Sequence, residues 1–416
     1  MLTSFIEVPS ESHFPIQNLP YGAYKIEEGD IHLCSAIGEF IIDLFVLDEE
    51  GFFDGPELSD QFVFQDSTLN YFMGLGKPAW TEARRTLQQL LSADNPVLRN
   101  DELLWQKVFK KRSDVTMVLP VQIGDYTDFY SSEQHARNVG SMFRDPENAL
   151  LPNWKHLPVA YHGRSSSIVI SGTDLKRPKG QTITPDADTP EFGPSKAVDF
   201  ELEMGFYTGP GNSLGSPIPV QDAEDHIFGL TLVNDWSARD IQKWEYQPLG
   251  PFLGKNWATS VSPWIVTMEA LEPFRIAMPE QHPEPLDYLK QPNRSTLKIQ
   301  LEAYIKTAKQ AEPQKICTTN FKNLYWSMPQ QLAHHTVNGC NINAGDLLAS
   351  GTISGSENDS YGSLLELAWN RESQLKLATG ETRAFIEDED EIILTGFAQA
   401  DAYTIGFGEV TGRILS

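Results

Sequence analysis

From Asp199 to Met204 acidic and apolar side chains alternate without a break: Asp199, Glu201 and Glu203 against Phe200, Leu202 and Met204. Successive side chains of a β-strand point to opposite faces. The pattern therefore predicts a strand with an apolar back on a core and three acids on its front. Carboxylates side by side repel one another unless a cation sits among them, and hard divalent ions choose oxygen ligands. A solvated edge strand would show the same pattern, so the stretch alone leaves both readings open.

The same logic runs along the rest of the chain. Phe40-Ile41-Ile42 and Leu44-Phe45-Val46-Leu47 are continuous apolar runs, which predict buried strand rather than helix. After Lys77-Pro78, Trp80, Ala83, Leu87, Leu90 and Leu91 fall at helical spacing, with Arg84, Arg85, Gln88 and Gln89 off that stripe. Proline in the first turn fits a helix start, and Asn95-Pro96 stops it. Lys110-Lys111-Arg112-Ser113-Asp114 reads as a charged, exposed joint. The boundary set there predicts a small β-rich domain with one helix over 1–118 and a larger domain over 119–416.

In the larger part, Val115–Ile123 predicts a strand that delivers Asp125 to Ser132 and then His135. A Pro-, Gly- and Ser-rich run follows from Arg177 to Ser195, too long to be idle. Asp222–Phe228 predicts a short helix and Gly229–Val233 a strand. Met328–Val337 predicts a helix, with Ser327 and Gln330 at capping-box spacing and Asn338-Gly339 as its stop. The last hundred residues read as short strands and turns. Strand signals outnumber helices, so the fold class is mainly β.

Composition narrows the function. At 416 residues, 40% hydrophobic and 11% aromatic, the chain can bury a large core. A net charge of −25 argues against nucleic acid and anionic membranes as partners, since both demand basic footprints. Cys34, Cys317 and Cys340 are scattered and in no metal spacing, which predicts reduced thiols in a cytoplasmic protein. The first residues have neither a basic start nor a long apolar run, predicting no signal peptide. No stretch approaches the roughly 20 apolar residues of a membrane helix.

Three further stretches could carry chemistry. If a helix starts at Asn234, then Asp235, Arg239, Gln242 and Tyr246 line one face, although an Asp–Arg pair on a helix surface is commonplace. Lys255 sits in a Gly/Pro-bounded loop, Pro248 to Asn256, where backbone and ammonium can approach a ligand; a surface lysine is the plainer reading. Asp128, Tyr130 and His135 could supply a ligand, a hydroxyl and a base, and Arg144 a fixed fork of donors for a carboxylate. His334 and His335 read as packing or surface.

Asp125-Tyr126-Thr127-Asp128-Phe129-Tyr130-Ser131-Ser132-Glu133-Gln134-His135 closely resembles the signature of the fumarylacetoacetate hydrolase family, the fumarylacetoacetases. So do Asn138-Val139-Gly140, Ala149 to Trp154, Tyr161-His162-Gly163-Arg164, Asp199 to Met204, Asn234 to Gln242, Phe252 to Asn256 and Gly351 to Gly355. Phe14 to Gly22 extends the likeness to the N-terminal part. Arg137, where a Thr is expected, and the glycine-poor Ala400-Asp401-Ala402-Tyr403 depart from the pattern.

The resemblance implies a small N-terminal SH3-like β-barrel, a larger β-roll domain and a homodimer. It implies hydrolysis of a carbon–carbon bond in a dicarboxylate diketone, fumarylacetoacetate, to fumarate and acetoacetate, the last step of tyrosine and phenylalanine degradation. Asp128, Glu201, Glu203 and Asp235 would bind a divalent ion, Ca²⁺ or Mg²⁺, with Lys255 and Thr259 at a further metal position. No organic cofactor is implied. Tyr130, Arg144, Gln242, Tyr246 and Thr352 match substrate-binding positions. His135 matches the general base and Glu366 its carboxylate partner, while Arg239, Gln242 and Lys255 match groups that stabilise developing negative charge. Two rivals stand beside this: another acylpyruvate- or fumarylpyruvate-type hydrolase, and a non-catalytic calcium-binding β module.

Overall fold

Eight strands form the sheet that carries the acids. Its order is Ala160–His162, Tyr126–Phe129, Leu347–Ala349, Leu202–Thr208, Ile227–Asp235, Thr259–Val261 and Ile168–Ile170, with Val266–Thr267 also paired to Ile227–Asp235. The computed structural model describes residues 2–26, 29–184 and 186–416. Pro185, inside the run predicted over Arg177–Ser195, lies outside them.

The alternation read from the sequence decides where this sheet packs. Leu202, Met204 and Phe206 point to one side and join the main core, while Tyr207 points to the other and joins a second core. A five-stranded sheet closes the main core from the far side. Its order is Gln314–Asn320, Gln300–Lys306, Glu391–Gln399, Thr404–Leu415 and Leu175–Lys176, and it contributes Leu301, Ile305, Leu394 and Phe407.

The N-terminal sheet is Phe109–Lys111, Phe40–Asp43, Ile31–Ile37, Tyr21–Lys25 and Thr116–Val118. It does not hang free. Tyr21, Phe72 and Leu87 share one buried core with Tyr207, Phe228 and Val261 of the large sheet, and the Tyr21 and Phe228 ring centroids lie 5.6 Å apart. The long predicted helix is Lys77–Leu91, with its apolar stripe buried.

Several expectations need correction. Leu44–Leu47 is helical, part of Leu44–Glu49, because Asp43 ends the preceding strand and its side chain accepts from Val46 N. Residues 44–108 hold five helices rather than one. Arg84, placed off the apolar stripe, is buried because its guanidinium donates to the carbonyls of Asn18 and Gln17. Lys110 and Lys111 lie on an edge strand, Phe109–Lys111, and Arg112 lies over the Phe14 ring at 4.4 Å. Of Val115–Ile123 only Thr116–Val118 is strand. The C-terminal hundred residues contain two long strands, Glu391–Gln399 and Thr404–Leu415. The helix after Ser327 has the predicted capping box. Among the described residues no helix is long and apolar enough to cross a membrane.

Candidate active site

Three strands of the large sheet each bring an acid to one place. Asp128 lies on Tyr126–Phe129, Glu203 on Leu202–Thr208 and Asp235 at the end of Ile227–Asp235. Glu201 occupies the break before Leu202, where its N–H donates to Asn234 Oδ1 at 3.1 Å. One oxygen from each of the four lies within 4.8 Å of all the others, and all four residues are buried. Gly351 seals the cluster: its N–H donates to Asp128 Oδ1 at 3.1 Å and to Glu203 Oε2 at 3.0 Å. Only glycine fits there, because φ is 78° and a Cβ would lie 2.2 Å from Phe129 O.

Asp199, the third acid of the alternating stretch, does not join them. The strand breaks after it, and its carboxylate accepts from the N–H groups of Leu364 and Leu365 and from Arg239 Nε. The Asp235–Arg239 helix face is likewise corrected. Asp235 ends a strand and the helix starts at Arg239, so Arg239 pairs instead with Asp199 and with Glu201 Oε1 at 2.7 Å. Lys255 is not a surface lysine. It is buried, with Nζ on Glu201 and 2.8 Å from Asp235 Oδ2. Thr259 Oγ1 donates to Asp235 Oδ1 at 3.2 Å, and Tyr161 OH to Asp235 Oδ2 at 2.7 Å.

These contacts split the acids electrostatically. Burial alone would raise the Glu201 carboxyl, but Lys255 and Arg239 outweigh it and hold the group well below the ordinary range. Burial, then Asp235, pushes Asp128 up. Burial, then Asp128 and Glu201, does the same to Glu203. Glu203 Oε1 is buried and has no partner. A buried all-oxygen donor set with an orphaned lone pair and mutually repelling carboxyls fits a hard divalent ion.

His135 lies in the first turn of the helix Glu133–Phe143, and its N–H donates to the capping Ser132 side chain. Its Nδ1 lies 2.7 Å from Glu366 Oε2 across 231 residues of sequence. Glu366 also accepts from Asn138 Nδ2, Ser354 Oγ and Ser363 Oγ, at 2.8, 3.0 and 2.9 Å. Burial opposes its charge, but His135 and these donors hold its carboxyl below the ordinary range. An ionised carboxylate only accepts, so His135 donates from Nδ1, and in the neutral imidazole the lone pair lies on Nε2. The imidazole is near enough to the acids to act electrostatically on Glu201.

Residues 125–415 match the family model described as fumarylacetoacetate (FAA) hydrolase C-terminal, and residues 17–120 the one described as fumarylacetoacetase N-terminal. This chain belongs to the fumarylacetoacetate hydrolase family. It is 55% identical to the fumarylacetoacetase of Dictyostelium discoideum, over 100% of this chain and 98% of the relative. It is 54% identical to the Homo sapiens fumarylacetoacetase, over 99% and 98%. Among solved structures it is similar to a fumarylacetoacetate hydrolase from Exiguobacterium antarcticum, with TM-score 0.52 and 15% identity over 96% of this chain and 99% of that one. A 5-carboxymethyl-2-hydroxymuconate delta-isomerase from Mycobacterium smegmatis gives TM-score 0.50 and 15% identity over 95% and 99%. At such identities the likeness is one of fold.

Within this member of the fumarylacetoacetate hydrolase family, the remaining predicted positions spread outward. Tyr130 packs its ring against His135, centroids 5.2 Å apart. Gln242 Oε1 accepts from Arg239 Nη1 at 3.3 Å. Thr352 follows Gly351, and its buried Oγ1 has no partner, nor has Arg239 Nη2. Arg144 and Tyr246 are exposed at the periphery. Arg137 pairs with Glu133 on the exposed side of the helix, and Ala400–Tyr403 is the turn between the last two strands. Sequence reasoning missed Tyr161, Asn138 and Gly351 as parts of the site. Asn138 stands three positions after His135, one helical turn on, and that spacing was the available signal.

Proposed function

We propose that the chain hydrolyses fumarylacetoacetate to fumarate and acetoacetate, the closing reaction of tyrosine and phenylalanine catabolism. One observation carries the reading. A buried His–carboxylate pair stands beside a buried tetracarboxylate cluster, in a chain 54–55% identical to fumarylacetoacetases from end to end.

Asp128, Glu201, Glu203 and Asp235 would hold the metal. Ca²⁺ or Mg²⁺ bound there would polarise the two oxygens of the 1,3-diketone and orient them. Lys255 and Thr259 would border a further metal position, Lys255 through its backbone carbonyl because an ammonium has no lone pair to offer. His135 Nε2 takes a proton from water while the water oxygen attacks the carbonyl carbon. The carbon–carbon bond then breaks, its electron pair leaves on acetoacetate as an enolate, and a proton returns to that carbon. Arg239, Gln242 and Lys255 stabilise the oxyanion, each donor contributing about 3–4 kcal/mol. Tyr130, Arg144, Gln242, Tyr246 and Thr352 hold the substrate, Arg144 taking a carboxylate.

The same reading has the chain divide near residue 118 into an SH3-like barrel and a β-roll, and work as a cytoplasmic homodimer. Purified chain should remove the ultraviolet absorbance of added fumarylacetoacetate, and chelator should stop it. Persistence of the absorbance with metal supplied would refute the reading.

A further inference from the structure

The helix Arg239–Glu245 ends on a carboxylate. A negative side chain at a helix C-terminus faces the wrong end of the helix dipole, so its placement calls for a compensating interaction. The chain leaves over Tyr246 and returns at Gly254, and there Glu245 collects three consecutive backbone donors. Oε1 accepts from Phe252 N at 2.8 Å and Gly254 N at 2.7 Å, and Oε2 from Leu253 N at 3.0 Å. Its other backbone ties include Ala238 N to Gly254 O at 2.8 Å, at the returning end, and Gly250 N to Tyr246 O at 2.6 Å, within the loop itself. Leu249 is 97% exposed and Phe252 66% exposed, so apolar burial does not anchor its tip. Its returning end lies hard against the helix, where a Cβ on Gly254 would stand 2.7 Å from Gln242 Cβ. The next residue is Lys255, whose ammonium pairs with both Glu201 and Asp235.

We propose that Glu245 is a positioning residue, a latch that closes the 246–254 loop and so sets Lys255 on the acid cluster. Hydrogen bonds to an ionised acceptor are the strong ones, and three of them converge one residue before the lysine. Only the kinetic part of this proposal rests on the proposed reaction.

The test compares the metal-loaded full-length chain with Glu245→Ala. Hydrogen exchange of peptides covering 251–256 should speed up by about tenfold or more while the rest of the chain is unchanged. Lys255, protected from acetic anhydride in the wild type, should become acetylated. Turnover of fumarylacetoacetate should fall about tenfold, and Glu245→Ala should add no further loss in a Lys255→Met background. Glu245→Gln, with one acceptor oxygen in place of two, should fall between. Unchanged exchange, a still-protected Lys255, or losses that multiply independently would each overturn the latch. A wild type with no turnover would sink the reaction while exchange and acetylation still decided the latch.

Discussion

Glu366 Oε2 lies 2.7 Å from His135 Nδ1, and the same carboxylate receives three other side-chain donors. Every donor aims at an anion, so a neutral isostere there is mismatched. In Glu366→Gln the new NH₂ must face at least one of these donors, and the imidazole loses its fixed tautomer. Turnover should fall by about 10²–10⁴-fold, the range a positioned general base contributes. His135→Ala should fall as far while substrate still binds. Single-turnover kinetics and equilibrium binding check both; near-normal rates would remove His135 as the base.

Metal uptake should depend on the strand acids individually. Glu201 and Glu203 both belong to the cluster, but only Glu203 leaves an oxygen without a partner. Glu203→Ala removes that free ligand, and Glu201→Ala also strips Lys255 and Arg239 of an ion-pair partner. Each should weaken divalent-ion affinity at least about tenfold by calorimetric titration of stripped protein. Asp199→Ala should leave affinity near the wild type, because Asp199 is tied to Leu364, Leu365 and Arg239. Equal losses at Asp199 and Glu203 would contradict the geometry.

How much of this was legible beforehand follows from the range of the interactions. The helix over Lys77–Leu91 and the capping box at Ser327 are local, and periodicity and spacing suffice to read them. The two faces of Leu202–Thr208 follow from alternation alone. Asp199 could not be sorted from Glu201 and Glu203, because what separates it is a pair of N–H groups about 165 residues away. Lys255 read as surface because its burial depends on Glu201, which lies 54 positions back. Leu44–Leu47 has strand composition, and Asp43, capping Val46 N, turns it to helix. The site roles came from the family resemblance and not from any periodicity.

Metal binding should be linked to protons. Burial and the neighbouring carboxyls hold Asp128 and Glu203 above the ordinary carboxylate range. A cation must displace whatever protons the pair retains, so affinity should fall as pH falls through their raised pKa values and level off above them. In the metal-free protein, a raised folded pKa adds stability that is complete below the unfolded value and fades as pH rises through the folded one. The stripped protein should therefore lose stability from these two groups as pH climbs above the usual carboxylate range, and added divalent ion should restore it. Glu201, held low, runs the opposite way and loses its contribution only in strong acid. Calorimetry in buffers of different ionisation heat counts the protons released; zero release across that range would contradict the shifts.

Gly351 ties backbone conformation to two of the acids through one N–H. Its φ of 78°, and the 2.2 Å that would separate a Cβ at this position from Phe129 O, leave no room for alanine. Its N–H is also shared between Asp128 and Glu203. Gly351→Ala must shift the 350–352 backbone, at a strain cost of about 1–3 kcal/mol, and that shift withdraws the donor from both carboxylates. The thermal midpoint should drop by several degrees, on the order of ΔΔG divided by the unfolding entropy, and divalent-ion affinity should drop with it. Gly380→Ala serves as the control: it also has positive φ, at 84°, but nothing lies within 4 Å of its Cβ and its N–H goes to the carbonyl of Leu377. It should lose stability while metal affinity stays near the wild type. Equal effects of the two substitutions on metal affinity would show that Gly351 matters only as a turn.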